Sequence, residues 1–363
     1  MINWNSKEAA ALVALQRGIP ITPNPFAELA AASGMDEAGL LAVAQALLDS
    51  GEARRFGAVF DARRLGYRSA LCAMQVPAAD LPRVAALVAA VPGVTHAYER
   101  GWPAGLPADS PGGPDGQTWP NLWFTLAAPA DTFAQALGAL RSDCAPYAID
   151  ELPALRRFKI DVVFDARTRD RDERTESSSK EQVASSKCIA SEISTQLSTQ
   201  NSLLLTPSSL LLAQRAIVRL LQGDLPLAPR FFAPLAGQLN ISEDALLSQL
   251  REWQANGVLR RIGLLLRHRE IGFKANGMCC WDVPGDDIRE AGRRVASAPE
   301  VTHCYERPRT PRFPFRLYAM IHTSSWRETQ ALFQRITADA ALPPGRLLLS
   351  LTEFKKTSMR FFD

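Results

Sequence analysis

Residues 54–77 read RRFGAVFDARRLGYRSALCAMQVP, and residues 260–284 read RRIGLLLRHREIGFKANGMCCWDVP. The two stretches share paired arginines, a following glycine, an R-x-x-G step and a closing Val-Pro. Further along, VTHAYER (94–100) returns as VTHCYER (301–307). Motifs that recur in the same order and at matching spacing indicate an internal duplication. The chain therefore contains two copies of one module of about 160 residues.

Each copy is predicted to open with a winged helix-turn-helix unit. Three helical patterns are followed by two strand-like runs, which in the first copy are RRFGAVFD and YRSALCAMQV. These two runs are expected to pair as a β-hairpin wing. The winged-helix domains are predicted at residues 1–62 and 207–268.

A ferredoxin-like domain with the order βαββαβ is predicted after each wing, at residues 63–165 and 269–363. Residues 166–206 are polar, rich in Ser, Thr and charge, and contain no aromatic residue, so they are expected to form a flexible linker. The predicted fold class is α+β, with two tandem copies of a winged helix-turn-helix followed by a ferredoxin-like βαββαβ domain.

The composition is that of an ordinary globular protein, with 363 residues, 47% hydrophobic, 22% charged and a net charge of +3. It excludes a disordered or fibrous chain. No apolar run approaches the ~20 residues of a membrane span, and no signal-peptide pattern is present, so no membrane association is expected. The six cysteines form no C-x-x-C pair, which favours reduced thiols and a cytoplasmic location.

The third helix of each unit argues against DNA as a partner. DEAGLLAVAQALLDS in the first copy carries three acids and no Lys or Arg, and SEDALLSQLREWQAN in the second carries three acids and one Arg. DNA affinity comes mainly from cations that neutralise phosphates. These helices are therefore expected to pack against protein instead.

Strand alternation places the chemistry of the repeated VTHxYER motif on one face. In the first copy this face carries His96, Tyr98 and Arg100. In the second copy it carries His303, Tyr305 and Arg307. A solvated sheet face is the alternative interpretation, but two matched occurrences in one chain weaken it.

A neighbouring strand, FRLYAMIH (315–322), is expected to place Arg316, Tyr318 and His322 on one face and apolar residues on the other. In the first copy, NLWFTLAA (121–128) has Ala127 or Ala128 in place of the histidine. The two copies are therefore expected to differ chemically.

Paired arginines begin each wing: Arg54 and Arg55 in the first copy, Arg260 and Arg261 in the second. An ordinary basic surface is one interpretation. The other is a cluster that binds several carboxylates, because a guanidinium forms bidentate pairs with them.

The combination of RR[FI]G, R-x-x-G-[YF]-[RK], VTHxYER and LYAMIH resembles the siroheme decarboxylases, a family with the Lrp/AsnC shape. The resemblance covers both copies and leaves out the linker, as in the fused D–L form of denitrifying bacteria. It implies loss of two acetate carboxylates from siroheme, giving 12,18-didecarboxysiroheme, in haem d1 or alternative haem biosynthesis. It implies no cofactor, because the iron belongs to the substrate. Homologous decarboxylase subunits or a second chain are candidate partners, and the two halves are expected to pair within one chain.

The resemblance and the chemistry together give hypothetical roles. His303 or His322, with Tyr305 nearby, would act as general acid. His96 would do the same in the first copy or only bind, and a histidine could instead ligate the substrate iron. The predicted substrate-binding residues are Arg54, Arg55, Tyr98, Arg100, Arg260, Arg261, Arg307, Arg316 and Tyr318. A ligand-responsive Lrp/AsnC-type regulator and a non-catalytic tetrapyrrole-binding subunit are the alternatives.

Overall fold

The structure is a computed structural model that describes residues 6–103, 118–160, 212–267 and 270–363. The predicted linker at 166–206 lies outside these residues. Within the described ranges, no helix combines the length and apolar character needed to cross a membrane.

Each copy supplies five of the described helices. In the first copy they are α1 (Ser6–Arg17), α2 (Pro25–Ser33), α3 (Glu37–Asp49), α4 (Leu81–Ala90) and α5 (Phe133–Asp143). In the second copy they are α6 (Leu212–Leu221), α7 (Phe232–Gln238), α8 (Glu243–Ala255), α9 (Ile288–Ser297) and α10 (Trp326–Asp339). The third helix of each unit starts at a side-chain cap: Asp36 accepts from Gly39 N at 2.6 Å, and Ser242 accepts from Ala245 N at 3.1 Å.

The described strands follow the same duplication. Those of the first copy are β1 (Ala53–Phe60), β2 (Tyr67–Met74), β3 (Val94–Gly101), β4 (Leu122–Pro129), β5 (Ile149–Pro153) and β6 (Arg156–Ile160). Those of the second copy are β7 (Leu259–Leu266), β8 (Ala275–Trp281), β9 (Val301–Glu306), β10 (Leu317–Thr323) and β11 (Gly345–Lys356).

The predicted β-hairpin wings are wrong, because the first strand of each copy pairs with its counterpart in the other copy. β1 and β7 form an antiparallel ribbon with Gly57 opposite Gly263 at its centre. Both glycines are needed for close packing: a Cβ on Gly263 would lie 2.5 Å from the Leu15 carbonyl oxygen, and one on Gly57 would lie 2.6 Å from that of Gly223. The two three-helix units share one hydrophobic core around this ribbon.

The nine remaining strands form one sheet in the order β5-β2-β4-β3-β11-β8-β10-β9-β6. Each copy keeps the ferredoxin-like order, and the copies exchange their fourth strands. The first part of β11 pairs with β8 of its own copy, and its second part pairs with β3 of the other. Likewise, β5 pairs with β2 of its own copy and β6 with β9 of the other. The fourth strand of the first copy is thus divided into two parts, β5 and β6.

This exchange bends the sheet round on itself. The outermost strands β5 and β6 are separated along the chain by Ala154 and Leu155 alone, so the two ends of the sheet are joined. Helices cover the outer face of each half through two separate cores. On the inner face, aromatic side chains pack together, including Trp123, Phe313 and Phe315. The rest of the inner face and the β1–β7 ribbon line a cavity.

The C-terminal tail ties the helical layer to the sheet. Thr357 N donates to Thr95 O at 2.8 Å, next to the cavity. Phe361 lies in the core of the helical layer, where its backbone N donates to Gln222 Oε1 at 2.7 Å. The tail therefore connects the helical layer, which contains the ribbon, to the sheet.

Candidate active site

The cavity has a volume of about 780 Å³ and is lined by residues of both copies. Among the described residues, its wall carries nine cations and three carboxylates. The cations are Arg54, Arg63, Arg100, Arg157, Arg260, Arg261, Arg267, Arg307 and Lys356, and the carboxylates are Asp61, Glu270 and Glu353. An excess of positive charge in a concave site attracts a ligand with many negative groups.

The structure places both His–Tyr–Arg rows on the cavity wall, as strand alternation predicts. The imidazole and phenol rings lie with their centroids 6.3 Å apart for His96 and Tyr98. The equivalent distance is 6.2 Å for His303 and Tyr305. All six residues line the cavity: His96, Tyr98, Arg100, His303, Tyr305 and Arg307. The two rows present the same functional groups from two sides.

The arginine of each row is held by its own tyrosine and by the other copy. The guanidinium carbon of Arg100 lies 5.3 Å from the Tyr98 ring centroid, and that of Arg307 lies 4.9 Å from the Tyr305 ring centroid. Arg100 donates to Leu348 O at 3.5 Å, and Arg307 donates to Leu152 O. These carbonyls belong to the exchanged fourth strands. Burial lowers the pKa of Arg100 to about 10, so it still carries its charge at neutral pH.

The histidines of the rows are neutral at neutral pH. Burial and nearby cations lower the pKa of His96 to about 4 and that of His303 to about 4. The Nδ1 atom of His96 lies 2.9 Å from Thr95 Oγ1, and that of His303 lies 3.1 Å from Thr302 Oγ1. Each threonine hydroxyl therefore orients the ring beside it. An anionic ligand would offset the surrounding cations and raise both pKa values.

Strand β10 brings Tyr318 and His322 to the cavity, as predicted. Burial raises the pKa of Tyr318 well above its usual value, so its phenol stays protonated. Its Oη is buried and has no hydrogen-bond partner in the described part of the chain. In the pairing of β10 with β8, His322 lies opposite Asn276. At the equivalent position of the first copy, Ala127 of β4 lies opposite Ser69 of β2. Ala127 is therefore the residue that replaces the histidine.

Three of the four wing arginines line the cavity: Arg54, Arg260 and Arg261. Arg260 is paired with Asp61, with its Nη2 2.6 Å from Oδ2. Arg54 is largely buried, and burial together with the charge of Arg267 lowers its pKa. These guanidiniums lie on the ribbon, across the cavity from the sheet.

Two predicted substrate-binding arginines do not line the cavity. Because alternation turns Arg55 away from Arg54, its guanidinium donates to the carbonyls of Gln222 at 2.9 Å and Gly223 at 3.1 Å. Arg316 precedes β10 and donates to Glu306 Oε1 at 2.7 Å. The structure gives both arginines contacts within the protein in place of the predicted contacts with a ligand.

Sequence reasoning missed several polar residues of the wall, among them Asn276, Arg157, Glu353 and Lys356. Arg157, Glu353 and Lys356 reach the cavity only because their strands cross to the other copy. The signal for Asn276 was present, since it is a polar residue in the otherwise apolar run ANGMCCW, where a buried side chain is expected.

Comparison with known families identifies both modules of the duplication. Residues 64–159 and 270–355 match the AsnC-like ligand binding domain. Residues 8–54 and 214–260 match the siroheme decarboxylase NirDL-like HTH domain.

The relatives match nearly the whole chain. A siroheme decarboxylase of Hydrogenobacter thermophilus is 34% identical over 96% of this chain and 93% of its own length. The siroheme decarboxylase NirDL subunit of Paracoccus denitrificans is 31% identical over 94% of this chain and 93% of its own. A crystal structure of the siroheme decarboxylase NirDL in co-complex with an iron-uroporphyrin III analogue has a TM-score of 0.67 and 29% identity, covering 99% of this chain and 95% of that chain. The chain therefore belongs to the siroheme decarboxylase family.

Proposed function

We propose that this chain removes carbon dioxide, without oxidation, from two acetate side chains of siroheme and yields 12,18-didecarboxysiroheme. The observation that carries the proposal is the cation-rich cavity with two His–Tyr–Arg rows in a member of this family. Siroheme carries eight carboxylates. The nine cations of the cavity wall can bind these groups, whereas an apolar pocket could not. The reaction belongs to haem d1 biosynthesis or to the alternative haem route.

The reaction is a replacement of carboxylate by hydrogen. The bond between the acetate methylene and the carboxylate carbon breaks, and carbon dioxide leaves. The electron pair stays on the methylene carbon, where the macrocycle delocalises it, and a proton converts that carbon to a methyl group. No oxidant is consumed, and the proposal needs no cofactor of the protein's own.

The arginines hold the carboxylates that do not react. Arg100 and Arg307 have rigid positions because each is stacked on a tyrosine and bonded to a backbone carbonyl. Arg54, Arg260 and Arg261 face them from the ribbon. Fixing the macrocycle at several carboxylates aligns one acetate for bond breaking, which lowers the barrier through orientation.

His303 or His322 supplies the proton. Burial keeps the imidazole of His303 neutral at neutral pH, and a ligand with eight carboxylates raises its pKa on binding, so that His303 takes up a proton with the substrate. His96 has the same environment in the first copy and acts in the same way or only binds. A neutral imidazole is also the form that ligates iron, so ligation of the substrate iron is the alternative role.

The helix-turn-helix units do not favour a DNA-binding regulator. The N-terminal part of a recognition helix approaches the base edges. Here α3 begins with Glu37 after the cap Asp36, and α8 begins with Glu243 and Asp244. These carboxylates would repel the phosphate backbone.

The proposal extends to partners and location. Homologous decarboxylase subunits are proposed as partners, because the relative from Paracoccus denitrificans is a siroheme decarboxylase subunit. A second copy of the chain is a further candidate partner. A cytoplasmic location is proposed on the basis of the buried free thiols, which include Cys72, Cys279 and Cys304.

Anaerobic incubation of the purified chain with siroheme, followed by mass spectrometry of the pigment, tests the proposal. The expected result is a pigment that has lost two carbon dioxide units. A spectral shift with no loss of mass would contradict the proposal and indicate a non-catalytic binding subunit. A salt-dependent gel shift with promoter DNA would indicate a regulator instead.

A further inference from the structure

The cavity has two walls that the duplication makes equivalent position by position. The first wall is formed by the inner faces of β2, β3 and β4, and the second wall by those of β8, β9 and β10. Strand register fixes the correspondence, because Cys72 lies opposite Phe124 in the first copy and Cys279 lies opposite Ala319 in the second. The His–Tyr–Arg rows are the same on both walls, so the differences lie elsewhere.

One difference is a cross-strand pair. The second wall has Asn276 opposite His322, and the first wall has Ser69 opposite Ala127. Directly opposed side chains of neighbouring strands are in contact range. Asn276 is 6% exposed and lines the cavity, and its Oδ1 has no hydrogen-bond partner among the described residues. A buried amide oxygen without a partner is costly to keep unless a ligand or a ligand-bound neighbour satisfies it.

A second difference is the charge opposite each tyrosine. The exchanged strand β6 places Arg157 opposite Tyr305 on the second wall. The exchanged strand β11 places Glu353 opposite Tyr98 on the first wall. Both side chains line the cavity. The register thus adds a cation beside Tyr305, where Arg157 also lies 3.6 Å from Asp61, and a carboxylate beside Tyr98, where Arg100 and Lys356 also line the cavity.

We infer that carbon dioxide leaves at the second wall only and that Asn276 is a positioning residue for His322. The first wall then serves as an anchor for carboxylates that do not react. This inference rests on the proposed function and adds the site and order of the two losses. Because the two acetates occupy different pyrroles, each must reach the second wall in turn. The pigment therefore leaves the cavity after the first loss and binds again in a new orientation.

A trapping experiment with the unmodified chain tests this directly. The enzyme is loaded with one equivalent of siroheme and mixed at once with a large excess of iron-uroporphyrin III, which occupies the cavity after any release. The expected product is the singly decarboxylated pigment in free solution. A doubly decarboxylated product at the same yield with and without the trap would overturn the inference. No loss of carbon dioxide in either case would contradict the proposed function itself.

Transplanting the cross-strand pair gives an independent test. The double variant Asn276→Ser, His322→Ala makes the second wall like the first, and a loss of turnover of at least a hundredfold with retained binding of iron-uroporphyrin III is expected. The reverse variant Ser69→Asn, Ala127→His gives the first wall the same pair, and it should release a larger share of doubly decarboxylated pigment under the trap. Undiminished turnover in the first variant would overturn the inference.

The role of Asn276 is separated from a structural one by its kinetics. Asn276→Ser alone should lower kcat by about tenfold with little change in KM and should shift the pH profile of kcat, because the amide opposite His322 is lost. The matched variant Ser69→Ala changes the equivalent position of the first wall. The pH profile of kcat should not shift in this variant. A common shift in both variants would contradict the assignment.

Discussion

At the scale of single residues, the alternation of VTHAYER and VTHCYER was sufficient to place six side chains on one surface. The same alternation explains the failure at Arg55, whose side chain leaves the opposite face of β1 from Arg54 and donates to the carbonyls of Gln222 and Gly223. Arg316 could not be placed from sequence, because its contact with Glu306 depends on a partner in another strand. Periodicity predicts the direction of a side chain within a regular strand, and it does not predict which partner the side chain meets.

Replacement of His303 by alanine should lower turnover well over tenfold, because the imidazole faces the cavity and is held by Thr302. The same result is expected for His322→Ala. Steady-state decarboxylation with siroheme measures the effect, and circular dichroism checks that the fold is intact. His96→Ala is the matched control in the first copy, where a smaller loss is expected. Unchanged rates in both His303→Ala and His322→Ala would remove the general-acid role.

The lowered histidine pKa values predict a loss of stability in acid. His96 and His303 have pKa values of about 4 when folded, against 6.5 for an ordinary histidine. Between these values the unfolded chain binds more protons, so the free energy of unfolding falls as the pH is lowered from about 6.5 to about 4. Chemical denaturation across this range measures the slope. The variant His96→Asn, His303→Asn should show a shallower slope, and an equal slope would contradict the assignment.

At the scale of elements, the helices and most strands were predictable because they depend on local periodicity and caps. The pairing of the strands was not predictable in the same way. Local sequence predicts a hairpin between the neighbouring strands β1 and β2. Instead β1 pairs with β7, about 200 residues further along the sequence. The copies also exchange their fourth strands, which brings Arg157 and Glu353 to the cavity. Local pattern carries no information about such exchange, because either partner would satisfy the strand edge.

The docking of the exchanged strand β6 depends on a glycine in α9. A Cβ on Gly292 would lie 2.4 Å from ring atoms of Phe158, which follows Arg157 in β6. Gly292→Ala should therefore lower the free energy of unfolding by about 1–3 kcal/mol, although alanine favours helix. It should also weaken binding of iron-uroporphyrin III, because Arg157 moves with its strand.

Gly138 in α5 provides the control for this variant. A Cβ at that position meets no atom of the described residues within 4 Å, so Gly138→Ala should raise stability by about 0.5–1 kcal/mol. Urea denaturation of both variants measures the difference. Equal stability changes of the same sign would mean that β6 is not held by contact with Gly292.

At the scale of the whole molecule, the net charge of +3 gives no hint of the charge in the cavity. The cations are concentrated on one inner surface, where nine of them face three carboxylates among the described residues. The duplication was evident from sequence, and with it the presence of two equal rows. The cavity between them was not, because it exists only once the two copies share one sheet.

This charge concentration predicts that ligand affinity falls with salt. Raising sodium chloride from about 0.05 M to about 0.5 M should weaken binding of iron-uroporphyrin III by about tenfold, since screening reduces attraction across the cavity mouth. A spectrophotometric titration measures the affinity at each salt concentration. Arg157→Gln should reduce the salt dependence, because it removes one exposed cation of the wall. Affinity that is constant across this range would show that buried contacts alone hold the ligand.

The fusion of two copies in one polypeptide has an evolutionary consequence. In an assembly of identical subunits around a shared pocket, every mutation of the gene appears on both sides of that pocket at once. In this molecule a codon change at Ala127 or Ser69 alters one side and leaves His322 and Asn276 untouched. Tandem fusion thereby allows the two halves of a symmetric pocket to diverge in sequence. A pocket with two different halves can match a substrate that has no rotational symmetry.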